Sequence, residues 1–389
     1  ALKASQYGYL IDAARWDTSP ALVQLFSQGC CIRAATKPFR MNNRDYGTGT
    51  LLLRNHENRE GLHVLLTALQ TSLGVTIEPV NTARVQDGYD LGSGRFALLN
   101  EPRTAICTRW PLSTTSFGSL WYLLDHQAGL QCSPVSIQSL AHLDLRTYNV
   151  LLLPESHGLN RILDEPLLNK LKRWVEAGGT LIAVGDSAAH LAHEDRNLSA
   201  VRLKRDVLDR LDVYAEAVQK ERHARTIQVD SSSVWEGQRP SDANHPEDKN
   251  SKPDLEQAQR HDEWLRIFRP SGVFLAGQLD TEHWLAAGLD EHQPVYFQGG
   301  NAFMSSYPVA TVARLAPAAN LRLSGLLWPE ARERIADSAY TTVERVGRGQ
   351  VILFATDPSF RMWFPSLQRL LLNAVLLGPG MGTSPPRPW

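Results

Sequence analysis

Residues 180–192, TLIAVGDSAAHLA, have the residue types of a strand-turn-helix nucleophile. An apolar run enters Gly185-Asp186-Ser187, and Ala188 and Ala189 follow at what reads as a helix start. A turn of this kind lifts a side chain above a sheet edge, while amide N–H groups at the helix start face a developing oxyanion. A serine hydroxyl is a poor nucleophile at neutral pH unless a base takes its proton. Two histidines are candidates: His190, one helical turn on, and His157, in the loop after the strand VLLLP. Asp186 or Glu155 would orient that base, which makes a serine-dependent hydrolase one reading of the site. The second glycine of G-x-S-x-G is missing. A second reading makes Ser187 and Asp186 helix caps that satisfy unpaired first-turn amides. A third is a small-ligand or peptide pocket with Glu155, His157, Ser187 and Asp357 as polar contacts, because open α/β sheets bind ligands beyond the carboxyl ends of their strands.

Metal-ligand residue types are densest in His245-Pro246-Glu247-Asp248 and His261-Asp262-Glu263. Both groups lie in 229–263, a stretch rich in Ser, Pro, Asp and charge, which reads as a solvated insertion with no metal site. Gly92 and Gly94 of DLGSGRF open no helix, so they read as a turn and not as a dinucleotide loop. The Trp and Arg residues of TRWP and RMWF read as core and rim packing.

The elements that must position these residues fall into two blocks. Residues 1–102 alternate YLID, ALVQLFSQG, CIRAAT, GTLLLR, GLHVLLTALQTSLGV and VTIEPV, the grammar of a small α/β domain with a parallel or mixed sheet. Residues 103–380 repeat strand and helix through RTAICTRW, FGSLWYLLDHQAG, SPVSIQSL, YNVLLLPESHG, LDEPLLNKLKRWVEAGG and TLIAVG, predicting a mostly parallel sheet with its loops on one edge. In the fifth of these, Asp164 is placed to cap, Pro166 sits in the first turn, and Leu167, Leu168, Leu171, Trp174 and Val175 share a face. RGQVILFATDPSF reads as a last buried strand, PSLQRLLLNAVLLG as an amphipathic helix, and 381–389 as a flexible tail.

With 389 residues, 43% hydrophobic and 21% charged, the chain can bury more than one core. Forty basic and 41 acidic side chains leave a net charge of −1, so no global field draws in nucleic acid or an anionic membrane. No apolar run reaches the roughly 18–20 residues of a membrane span, and the opening residues lack a secretory leader pattern. Cys30, Cys31, Cys107 and Cys132 form no C-x-x-C and read as buried thiols.

In VLLLPESHG and VGDSAAH the second block resembles the class I glutamine amidotransferase-like fold, itself flavodoxin-like. By that resemblance Ser187 stands at the nucleophilic cysteine's place and His190 at the histidine after the elbow. The family's late His-x-Glu is absent, and FATDPSF offers Asp357-Pro358 there. Over nearly the whole chain, the order YLID, GTLLLR, DLGS, WPLSTTSFGSLWYLLD, YNVLLLPE, LKRWVEAGGTLIAVGDSAAHL and GRGQVILFATDPSFRMWFPSLQRLLLNAVLLG is similar to the C-terminal region of large bacterial zinc carboxypeptidases of the carboxypeptidase A type. In that family a separate N-terminal domain holds zinc with H-x-x-E and a distant His; no H-x-x-E occurs here. The resemblance implies a non-catalytic accessory region without a cofactor of its own, partnered with an upstream or associated zinc carboxypeptidase domain. It implies peptide or cell-envelope material as substrate and a periplasmic or secreted location.

Overall fold

The computed structural model describes residues 2–226 and 255–384. The first block comprises β1 (Gly8–Ile11), α1 (Thr18–Ser27), β2 (Arg33–Ala35), the hairpin β3 (Phe39–Met41) and β4 (Arg44–Tyr46), β5 (Leu51–Arg54), α2 (Leu62–Leu73), β6 (Ile77–Val80) and β7 (Phe96–Leu98). Its sheet order is β6-β1-β5-β2-β7, and every neighbouring pair is antiparallel. This corrects the parallel or mixed sheet expected from the alternation. Each β-α-β crossover skips one place and the two units interleave, a split βαβ arrangement, and strand-helix-strand order reads the same whichever place the return strand takes. Apolar residues fill both faces. Tyr9, Ile11, Leu51 and Leu53 pack with α1 and α2, while Leu10 and Leu52 meet Phe39, Met41, Tyr46 and Phe96 on the other side.

The second block starts with β8 (Thr104–Thr108), α3 (Thr114–Trp121), β9 (Cys132–Ser136), β10 (Val150–Leu153), α4 (Glu165–Glu176), β11 (Thr180–Val184), α5 (Gly185–Leu191), β12 (Arg202–Leu203) and α6 (Leu211–Thr226). It continues with α7 (Leu255–Ile267), β13 (Val273–Leu279), β14 (His292–Phe297), β15 (Phe303–Met304), β16 (Ala310–Leu315), β17 (Arg322–Ser324), α8 (Pro329–Ile335), β18 (Ala339–Val346), β19 (Gly349–Phe354), α9 (Pro365–Leu376) and α10 (Gly378–Met381). Five strands, β9-β8-β10-β11-β19, run parallel in the doubly wound order 2-1-3-4-5. Beyond β19 the sheet turns antiparallel through β18, β16, β13 and β14. The protein is thus of the α/β class with a largely parallel central sheet.

Helix α4 follows its sequence signals closely. Asp164 Oδ1 accepts from the Leu167 amide at 3.0 Å, and the five apolar residues read as one face are all buried. Helix α3 starts at Thr114, with the Ser113 hydroxyl accepting from the Ser116 amide, and runs on as a wider turn through residues 122–127. Residues 255–263, read as solvated insertion, are helical in α7, and Asp262 is buried in an ion pair with Arg334 of α8. His245, Glu247 and Asp248 lie outside the described residues. The four cysteines are unpaired; Cys107 is buried, while Cys30, Cys31 and Cys132 are half-buried. The tail expectation also needs correction for residues 381–384, since Thr383 is buried and its hydroxyl donates to the Pro379 carbonyl at 2.9 Å. Residues 385–389 lie outside the described residues.

The two sheets meet on α9, which is buried from Leu367 to its end. One turn carries polar groups into the contact. The Arg369 guanidinium donates to the carbonyls of Ala13 at 2.7 Å and Arg15 at 3.1 Å and to the Ser19 hydroxyl at 2.9 Å. Asn373 donates to the carbonyls of Leu285 and Ala287 at 2.8 and 2.9 Å. Gly288 is required beside this seam, because a Cβ there would lie 2.2 Å from the Ala13 carbonyl oxygen. Burial lowers the Arg369 pKa to about 10, so it stays charged at neutral pH. Arg369→Met removes the donors and leaves the buried Ala13 carbonyl and Ser19 hydroxyl without them, while the Arg15 carbonyl keeps the Thr18 amide, so it should cost roughly 3 kcal/mol in urea unfolding. A loss below about 0.5 kcal/mol, the scatter of ordinary surface changes, would show that the seam does not depend on this side chain.

Candidate functional site

The sequence-predicted residues gather where β10, β11 and β19 end, on one edge of the parallel sheet. Parallel pairing sets this up: Leu153 lies beside Ala183, and Val184 beside Phe354, so the loops after all three strands open to the same side. Glu155 follows β10, Asp186 and Ser187 begin α5, and Asp357 follows β19.

Gly185 adopts a left-handed φ of 56°, and a Cβ there would sit 1.5 Å from Glu155 Oε2. Glycine is therefore demanded twice, by backbone conformation and by the carboxyl lying against it. Glu155 Oε1 accepts the Asp186 amide at 2.6 Å, so this first-turn N–H is already satisfied. Ser187 is fully buried, and its hydroxyl donates to the Pro154 carbonyl at 2.5 Å. This corrects the capping reading as well as bearing on the nucleophile reading. The residue before the helix is Val184, no side chain caps the first turn, and Ser187 turns inward to tie α5 to the end of β10.

Neither histidine reaches Ser187 as a base. His190 is largely buried, its Nε2 finds no partner among the described residues, and burial lowers its pKa to about 4, with Arg196 and His193 adding to the shift. His157 is exposed and stacks on Trp110, with ring centres 5.7 Å apart. Trp110, read from sequence as packing, is itself 72% exposed.

The three carboxyl groups do come together. Burial is the main cause that raises the Glu155 pKa to about 8, and the charges of Asp186 and Asp357 push the same way. Asp357 is also raised by burial, partly offset by hydrogen bonds from Ser116 and Ser359. Ser116 serves both acids, since its hydroxyl also accepts the Glu155 amide at 3.1 Å. Asn301, from the loop after β14, donates to Asp186 Oδ1 at 2.8 Å. Sequence reading missed Ser116, Ser359 and Asn301, because an isolated Ser or Asn carries no signal until a distant carboxylate is placed beside it. Among the described residues, no group of three or more His, Cys, Asp or Glu is arranged to hold a metal ion.

The ligand crevice of a 2-1-3-4-5 sheet lies between its first and third strands, here β8 and β10. Main-chain bonds lace it shut. Ser113 N–H donates to the Glu155 carbonyl at 2.7 Å, His157 N–H to the Pro111 carbonyl at 2.9 Å, and Leu112 bridges to Ser156. The cluster is thus an internally satisfied acidic elbow, able to hold a proton on Glu155 at neutral pH.

No protein-family model matches the chain. No curated protein matches it either. Among solved structures, a putative ThuA-like protein from Parabacteroides merdae overlays on 74% of this chain and 92% of its own, at 10% identity and a TM-score of 0.42. A cytoplasmic protein from Salmonella typhimurium covers 72% of this chain and 99% of its own, at 12% identity and a TM-score of 0.37. A beta-galactosidase from Bacillus circulans covers 74% of this chain, which spans 32% of that enzyme, at 13% identity and a TM-score of 0.35. Likeness at this level establishes neither a family nor an activity.

Glu155 gives the site a pH signature. Its pKa is about 8 in the fold and near 4.5 in the unfolded chain, so the native state keeps a proton that the unfolded state loses. Stability from this group is full below about pH 4.5 and is lost as the pH rises through about 8. Glu155→Gln keeps an acceptor for the Asp186 amide and cannot titrate. It should flatten that decline, ending roughly 2–4 kcal/mol above wild type, relative to acid pH, at the alkaline end. Urea unfolding across the range checks this; parallel curves for the two proteins would contradict it.

Proposed function

We propose that this chain is a non-catalytic accessory module with an amidotransferase-like, flavodoxin-like second block, associated with a zinc carboxypeptidase, and that it binds or positions peptide or cell-envelope material. The observation that carries the non-catalytic part is the occupied elbow. A serine hydrolase needs an exposed hydroxyl, a base in hydrogen-bond reach and free amide donors. Here the Ser187 hydroxyl is buried on Pro154, neither His157 nor His190 bonds to it, and Glu155 holds the Asp186 amide. The strand order 2-1-3-4-5 supports the flavodoxin-like reading of the second block. The association with a zinc enzyme is supported by the ordered sequence resemblance along most of the chain, and zinc belongs to the partner in this reading.

Two measurements test the two parts. A serine-directed fluorophosphonate should leave the wild-type protein unlabelled; labelling that Ser187→Ala abolishes would restore the hydrolase. The endogenous product should either exceed the mass calculated for these 389 residues and contain H-x-x-E upstream, or co-purify with a zinc carboxypeptidase. A product of the calculated mass with no such partner would remove the association.

A further inference from the structure

Beyond the acidic elbow, the same sheet edge carries a cleft of about 270 Å³ between the start of β13, the end of β14 and the loop after β19. That is room for one ring with a short substituent, less than a drug-sized site needs. Its wall is aromatic. Tyr296 and Phe360 stack with centres 4.3 Å apart and planes 8° from parallel, and Trp363 stands edge-on to them at 6.0 and 5.6 Å. Phe274 meets Tyr296 and Trp363 at 6.2 and 6.3 Å. Gly272 keeps the facing side low, since a Cβ there would approach the Tyr296 hydroxyl oxygen to 2.9 Å. Trp363 remains 49% exposed.

Arg361 sits on this wall, its guanidinium carbon 5.3 Å from the centre of Phe360 and 5.4 Å from that of Trp363. Its backbone and that of Met362 are left-handed, at φ 48° and 55°. Each such residue costs on the order of 1 kcal/mol, so the loop holds this cation on the rings against a local penalty. Among the described residues no hydrogen bond or ion pair engages the Arg361 guanidinium, and no acidic side chain lines the cleft. A planar fork of N–H donors fixed beside stacked rings matches a carboxylate attached to a ring-bearing group. An adjacent free ammonium would find no counter-charge there.

We propose that this cleft binds an apolar or aromatic ring carrying a carboxylate, the ring against Trp363 and Phe274 and the carboxylate on Arg361. The ligand is either a small aryl acid or the C-terminal residue of a peptide. The proposal deepens the binding role given above by naming what is bound. It is read by direct binding, so it can fail while the peptidase association stands, and the reverse.

The test is calorimetric titration of the full chain, with tryptophan fluorescence in parallel, using phenylacetate, N-acetyl-glycyl-phenylalanine, the amide of that peptide, and phenylalanine. At least one of the two acids should bind, the amide should bind roughly ten-fold more weakly than its acid, and free phenylalanine should be weaker than the acylated peptide. Preference for the peptide acid assigns the source to a peptide C-terminus, and preference for phenylacetate assigns it to a small acid. Arg361→Gly adopts the left-handed backbone freely, so it should keep the thermal midpoint while weakening the acid roughly ten-fold. Trp363→Leu should weaken both acids. Equal affinity for acid and amide, unchanged affinity in Arg361→Gly with its fold intact, or no binding of either acid at millimolar concentration would overturn the proposal.

Discussion

Helix α9 is the element on which the rest of the molecule is assembled, and its constraint is a buried charge. An arginine enclosed between two sheets is tolerated only where its donors find fixed acceptors, because removing the cation from water costs several kcal/mol before any bond forms. Arg369 meets that condition at its two terminal nitrogens, with main-chain carbonyls of the loop after β1 and a hydroxyl from α1, while its buried Nε has no partner among the described residues; Asn373, one turn on, bonds the segment preceding β14. Both sheets are therefore registered against one helix by directional bonds, not by apolar contact alone. The apolar core runs continuously through the seam, so the two blocks form one packed body.

The elbow is fixed by its own contacts. Helix α5 begins on the glycine that Glu155 lies against, and the serine of the motif is tied to the end of β10. The geometry that would let a strand-turn-helix motif act on substrate is present in the backbone, yet the Asp186 amide and the Ser187 hydroxyl are consumed within the protein. A protonated carboxyl over a satisfied amide is a stable internal arrangement in a site short of positive charge, since neutralising Glu155 relieves repulsion from Asp186 and Asp357. The antiparallel strands beyond β19 extend the edge far enough to build an aromatic surface in place of a polar pocket.

Much of the layout was legible in the sequence because it depends on local patterning. Asp164, Pro166 and the apolar face of α4 announce that helix through capping chemistry and a 3.6-residue period, and both follow from the chain itself. The runs VLLLP, TLIAV and QVILF announce strands buried on both faces, and the alternation with helices fixes the parallel part of the second sheet. Glu155, Asp186 and Asp357 were recognisable as one edge for the same reason: each follows such a strand.

What the sequence by itself determined is therefore the strongly periodic elements, the α/β class and which loops share an edge, all set by short-range periodicity and by the handedness of crossovers. Tertiary structure alone decided the antiparallel pairing of the first sheet, since a crossover that skips a place looks no different in sequence from one that does not. It also decided the fate of Ser187, whose role depends on whether the Pro154 carbonyl or solvent receives its proton, and the pairing of Asp262 with Arg334 across a long separation. These are contests between partners distant in the chain. They are settled by burial and distance, neither of which a run of residue types contains.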